Sequence, residues 1–214
     1  MRSKTEIIQL LTDPGVIAVV RAQQAEQVLP LSEALIEGGV IAIEITMTTP
    51  GAIEAIREAT RTIGSRGVIG VGTVLDAPTC RAAIGAGAEF VVSPIMRPAL
   101  IGPCRQADKP VMLGAYTPTE AQLAHEAGAD FIKIFPADGL GPGYIKALHA
   151  PLPHLRIVPT GIARESDVAE FIKAGCVGVG LGSLLVSQTI LREADWAELT
   201  RLARKFVAMV RGAR

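Results

Sequence analysis

Two charged residues stand inside runs that are otherwise apolar: Glu44 within IAIEIT and Lys133 within FIKIF. A carboxylate and an amine carried into an apolar interior are costly unless each is paired or changes its protonation, so such residues mark candidate sites. A lysine stripped of water gives up its proton more readily, and the free amine can attack a carbonyl carbon to form a Schiff base. A neighbouring glutamate can move protons during imine formation and at the adjacent carbon. Other polar residues fall at the ends of similar runs: Arg21 closes VIAVVR, Thr73 falls near the end of VIGVGTV, Ser93 and Pro94 follow FVV, and Thr160 with Gly161 follows RIVP. The segment Gly178-Val179-Gly180-Leu181-Gly182-Ser183 is rich in glycine, and a short helix is expected to begin at Ser183. Glycines let backbone N–H groups approach an anion and a helix N-terminus adds favourable dipole, so this segment and Thr160-Gly161 predict a phosphate site.

The elements that must position these residues are legible in the periodicity. Eight β-branched runs recur (VIAVVR, IAIEIT, VIGVGTV, FVVS, VMLGA, FIKIF, RIVPT and VGVGLG). Amphipathic stretches separate them at 24–37, 50–63, 77–86, 97–107, 118–127, 142–149 and 164–174, a last one runs from about 193 to 211, and a short helix precedes the first strand. Strands apolar on both faces that alternate with helices indicate a parallel sheet, here a (β/α)8 TIM barrel filling one α/β domain over 1–214. A doubly wound open sheet is the rival architecture. Against it, EGGVIAIEI, AGAEFVVS, AGADFIKI and AGCVGVG each place a glycine (Gly39, Gly87, Gly128, Gly175) at an expected helix end, with a strand one or two residues later. This quarter-barrel repeat has no counterpart in an open sheet. Alternation puts Phe131, Lys133 and Phe135 on one face and Ala42, Glu44 and Thr46 on one face, opposite the isoleucines. Counting five residues from each repeat glycine gives Glu44, Val92, Lys133 and Gly180, so Glu44 and Lys133 are expected in one interior layer near the C-terminal mouth, where barrel enzymes keep their active sites.

Composition removes several function classes. Lys+Arg 21 against Asp+Glu 21 leaves no net charge to draw the 214-residue chain to nucleic acid or an anionic membrane. No apolar run reaches the roughly 18 residues of a membrane helix, and MRSKTE lacks the apolar stretch of a signal peptide. Cys80, Cys104 and Cys176 are odd in number and far apart, against a disulfide framework, so a cytoplasmic location is expected. His125, His149 and His154 never take metal-ligand spacing; neither a metal nor a cofactor is expected.

These residues resemble the 2-keto-3-deoxy-6-phosphogluconate (KDPG) / 4-hydroxy-2-oxoglutarate (KHG) aldolase family of class I aldolases. The likeness runs from about Val16 to the C-terminus through GGVIAIEITMTTP, GVGTVL, FVVSP, FIKIFPA, PTG and VGLGS. It implies Lys133 as the Schiff-base residue, Glu44 as general acid/base, and Thr73 at the pyruvyl carboxylate. It further implies Pro94 and Phe135 as pocket walls, Thr160 near the aldehyde portion's hydroxyls, and Gly161, Gly182 and Ser183 at the phosphate. The reaction it implies cleaves the keto-deoxy acid phosphate to pyruvate and glyceraldehyde 3-phosphate in the Entner–Doudoroff route, and the implied assembly is a homotrimer. Two departures matter. Where well-known members have an arginine four residues after the glutamate this chain has Thr48, and where many read P-T-G-G it reads Pro159-Thr160-Gly161-Ile162. A relative acting on the galactonate-derived epimer lacks the threonine of P-T-G, so Thr160 favours the gluconate substrate over that alternative. Arg21, on the inward face above Ile17 and Val19, is expected to hold the carboxylate with Thr73 in place of the absent arginine. The other readings are a phosphate-binding barrel isomerase or synthase, and a non-catalytic sugar-phosphate binder.

Overall fold

A computed structural model describes residues 2–214. Helix α1 (Lys4–Thr12) leads into eight βα units. These are β1 (Val16–Val20) and α2 (Val28–Glu37), β2 (Ala42–Thr46) and α3 (Ala52–Ile63), β3 (Val68–Gly72) and α4 (Ala77–Gly85), and β4 (Val91–Val92) and α5 (Ile101–Gln106). The second half comprises β5 (Val111–Ala115) and α6 (Pro118–Ala127), β6 (Phe131–Ile134) and α7 (Gly141–His149), and β7 (Ile157–Pro159) and α8 (Glu165–Lys173). Strand β8 (Val179–Leu181) is followed by α9 (Gln188–Glu193) and α10 (Trp196–Gly212). All pairings are parallel in the order β7-β6-β5-β4-β3-β2-β1-β8. A parallel bridge from Thr160 to Gly180 joins β7 to β8 and closes the barrel. No helix among the described residues is long and apolar enough to cross a membrane.

Local chemistry accounts for the boundaries. Ser3, Asp76, Thr117, Ser187 and Asp195 each accept a backbone N–H from the first turn of the helix that follows, satisfying a donor that the helix leaves orphaned. The repeat glycines all take positive φ, 88° at Gly39, 110° at Gly87, 104° at Gly128 and 101° at Gly175. That conformation ends a helix and is strained for residues bearing a Cβ. The strands begin three or four residues after these glycines rather than one or two, because the chain needs the extra length to re-enter the sheet. The last helix, expected from about 193 to 211, is α10 with Asp195 as its cap, and the short α9 precedes it.

Two cores result. Outward-facing strand residues such as Ile43, Ile45, Ile132 and Ile134 pack beneath the helices. Inside the barrel, Ile17, Ala42, Val68, Phe90, Val92, Met112, Phe131 and Val158 form a separate cluster that Ile7 and Leu11 of α1 seal from the N-terminal end. Arg2–Glu89 at 2.6 Å and Lys4–Asp130 at 2.8 Å fasten α1 across that opening. The interior is therefore apolar at its base, and polar residues enter only above it.

Candidate active site

Glu44 is the central residue of β2 and Lys133 the third of β6, and the two strands face each other across the barrel. Their isoleucine neighbours are claimed by the outer core, which turns both charged side chains inward. Lys133 Nζ lies 3.3 Å from Glu44 Oε1, with only 4% of the lysine and 2% of the glutamate exposed. Space for the carboxylate comes from Gly72 on β3, where a Cβ would collide with Glu44 Oε1. Nζ also stands 5.6 Å from the centroid of the Phe135 ring, within range of a cation–π contact. The five-residue count holds in the registers: each member lies two residues beyond the position paired with the one before it, the stagger by which a tilted eight-stranded barrel brings alternate strands into one layer. Thus Val92 is registered with Met112, itself paired with Phe131, two residues before Lys133, and Gly180 is registered with Ile17, itself paired with Ala42, two residues before Glu44.

Above the pair, at the C-terminal mouth, a cavity of about 300 Å³ is bounded by Val19, Arg21, Phe135, Thr160, Gly161, Gly182 and Ser183 among others. Thr160 is buried, and its hydroxyl occupies the space that a side chain at Gly180 would take. The predicted helix at Ser183 is instead a single turn, in which Leu185 N and Val186 N donate to Gly182 O at 2.9 and 2.8 Å. The next helix starts only at Gln188, where Ser187 supplies the cap. Glycine-rich backbone therefore borders the cavity without the helix dipole expected there. Thr73 and Pro94 follow β3 and β4, outside the residues that line this cavity. Thr73 has φ 60°, a conformation that costs a β-branched residue about 1–3 kcal/mol and tends to cluster at functional sites.

Arg21 does not swing to a surface carboxylate. Its Nε donates to Thr48 Oγ1 at 2.9 Å, so Arg21 meets the residue that departs from the resemblance. Thr46 and Thr49 also reach the end of β1, a role that a single threonine-rich segment did not announce in the sequence. Cys80 and Cys104, distant in sequence, meet between α4 and α5 with sulfurs 3.6 Å apart. Cys176 is buried, which pushes its thiol well above the usual cysteine range and disfavours the nucleophilic thiolate. Wider hollows occur at the barrel base, beside Arg2, Glu6 and Lys109, and between α2 and α10; neither borders the lysine–carboxylate pair.

A closed parallel barrel carrying a buried lysine in contact with a carboxylate, beneath glycine-rich loops after β7 and β8, defines a Schiff-base aldolase, a carbon–carbon lyase. The chain belongs to the KDPG and KHG aldolase family, whose model matches residues 7–202. A protein of Treponema pallidum named 2-dehydro-3-deoxy-phosphogluconate aldolase is 34% identical over 205 residues, covering 95% of this chain and 97% of that one. An Escherichia coli K12 protein named 2-dehydro-3-deoxy-6-phosphogalactonate aldolase is 35% identical over 193 residues, covering 89% and 94%. Among solved structures, the KDPG aldolase of Legionella pneumophila, with pyruvate captured as a covalent carbinolamine intermediate, superposes with a TM-score of 0.85 at 28% identity, covering 92% of this chain and 96% of that one.

Proposed function

We propose that the whole chain works as one metal-independent aldolase domain that cleaves 2-keto-3-deoxy-6-phosphogluconate to pyruvate and glyceraldehyde 3-phosphate, with 4-hydroxy-2-oxoglutarate as a second substrate. The observation that carries this reading is the buried 3.3 Å contact between Lys133 Nζ and Glu44 Oε1. Lys133 attacks the C2 carbonyl to give a carbinolamine, and loss of water leaves a protonated imine. Glu44 exchanges protons with the nitrogen and with the departing hydroxyl. The imine draws electrons from the C3–C4 bond, which breaks as the C4 hydroxyl surrenders its proton. The aldehyde leaves, the remaining enamine takes a proton at C3, and water releases pyruvate from Lys133. The imine serves as electron sink, so no step calls on a metal.

Placement of the substrate follows from the mouth. Gly161, Gly182 and Ser183 take the phosphate, Thr160 meets the hydroxyls of the aldehyde half, and Arg21 and Thr73 hold the carboxylate. Pro94 and Phe135 wall the pocket. The buried Thr160 hydroxyl supports the gluconate-derived substrate over its galactonate epimer. Three cysteines without a disulfide pattern support a reducing cytoplasm. A homotrimer is supported by Leu75, Ile95 and Tyr116, large apolar side chains exposed on three successive loops, which a second copy would cover. The test is incubation with pyruvate and borohydride followed by mass spectrometry. One reduced pyruvyl group on Lys133 is expected, and an unmodified folded protein would refute the reading.

A further inference from the structure

Three threonines of the segment that ends β2 take hold of three consecutive residues at the end of β1. Thr46 Oγ1 donates to Val20 O at 3.0 Å, Thr48 Oγ1 accepts from Arg21 Nε at 2.9 Å, and Thr49 Oγ1 accepts from Ala22 N at 3.1 Å. Thr46 and Thr48 also share a hydrogen bond between their hydroxyls, 2.8 Å apart. The direction of every bond is forced. A carbonyl oxygen only accepts and a guanidinium only donates. Thr46 gives its single proton to Val20 O, so the proton between the two hydroxyls belongs to Thr48. Thr48 thereby donates to Thr46 and keeps a lone pair for Arg21. The result is a one-way chain from guanidinium to backbone, anchored at a threonine that is 1% exposed.

This chain engages only one of the five guanidinium N–H groups. Neither Nη atom of Arg21 has a hydrogen bond or an ion pair among the described residues, and Arg21 borders the cavity at the mouth. An exposed arginine free to turn must be ordered when it binds an anion, and that lost freedom weakens binding. An arginine already fixed through Nε offers its Nη edge as a ready fork for a carboxylate.

We propose that Thr46 and Thr48 are positioning residues that fix the Arg21 guanidinium for the substrate's 2-keto carboxylate. The proposal rests on the aldolase reading above. Thr48 is then the socket for a cation supplied from β1, and the exchange of arginine for threonine at this position leaves the carboxylate site charged. Arg21 borders the same cavity as Gly161, Gly182 and Ser183, so unphosphorylated keto acids, which leave those loops empty, isolate its part in holding the carboxylate.

The experiment compares the parent with Thr48→Val, which keeps shape and removes the hydroxyl, with Thr48→Ser, and with Arg21→Ala alone and combined with Thr48→Val. Each is titrated with pyruvate, and the adduct trapped on Lys133 by borohydride is measured by mass; KM and kcat are also measured with phosphorylated and unphosphorylated keto acids. Loss of a hydrogen bond to a charged group should raise the half-trapping concentration and KM of Thr48→Val about tenfold on both substrates. Its kcat at saturation should stay within about twofold, because the interaction binds ground and transition states alike. Thr48→Ser should behave as the parent, and Thr48→Val should add nothing once Arg21 is gone. An unshifted Thr48→Val, or the same penalty in the Arg21→Ala background, overturns the relay while leaving the aldolase reading intact. A parent that traps no pyruvate on Lys133 takes both down.

Discussion

The proposed catalysis depends on keeping one amine and one carboxylate in contact inside an apolar barrel. Removing only one charge of a buried pair leaves the other uncompensated, a cost of about 3–5 kcal/mol, whereas an apolar replacement can also relieve desolvation. Methionine fills the space of the lysine stem, so the cost falls on the carboxylate and not on the packing of the barrel. Lys133→Met should therefore abolish turnover and pyruvate trapping while the circular dichroism spectrum stays that of the folded parent; measurable turnover would exclude the lysine as nucleophile. Gly72 offers a subtler test. A methyl group there occupies the place of Glu44 Oε1 and must push the carboxylate off Lys133. Gly72→Ala should thus lose kcat in the same range as Glu44→Gln, about 10²- to 10⁴-fold for a general acid/base. Near-parent kcat in both variants would make Glu44 structural. Chemically distinctive residues were easy to read in the sequence, since a lysine between isoleucines has few explanations. The threonine relay was not, because Thr46, Thr48 and Thr49 are ordinary in a strand-to-helix connection and acquire their task only when β1 lies alongside β2.

Elements divide the labour between the two ends of the barrel. At the N-terminal end α1 acts as a plug, with Ile7 and Leu11 completing an interior cluster that the strands alone leave open. Each is at most 2% exposed, so Ile7→Ala or Leu11→Ala should destabilise by about 2–5 kcal/mol in denaturant titration. The site lies at the opposite end, and kcat/KM of the folded fraction should be unchanged; a large loss of kcat/KM without loss of stability would contradict this separation. The helix-ending glycines and alternating apolar runs carried the architecture, because local backbone requirements and period-two burial are written into consecutive residues. Strand starts and the turn after β8 were read less well. Where β4 retains only Val91 and Val92, and where Gly182 O collects two N–H groups in one turn, sheet closure and loop packing decide the outcome, and these depend on residues far away in the chain.

At the scale of the whole molecule, three successive loops at the end of the barrel that carries the candidate site expose large apolar side chains. Leu75 is 45% exposed two residues after Thr73, Ile95 is 45% exposed directly after Pro94, and Tyr116 is 44% exposed directly after β5. Apolar side chains exposed on neighbouring loops ordinarily mark an interface, and rotation of one patch onto a different patch of the next copy closes into a ring. Such an interface would do more than hide surface. Thr73 sits at φ 60°, a backbone strain that persists only when its surroundings over-determine it. A neighbouring copy packed on Leu75 and Ile95 would supply that constraint. Light scattering of the parent should accordingly give three times the chain mass. Leu75→Lys combined with Ile95→Lys should give the mass of a single chain, with a raised KM for pyruvate-derived substrates as the Thr73 loop relaxes. A parent that scatters as one chain would reject the trimer, and a monomeric double variant with the parent's KM would show that Thr73 is held by its own barrel.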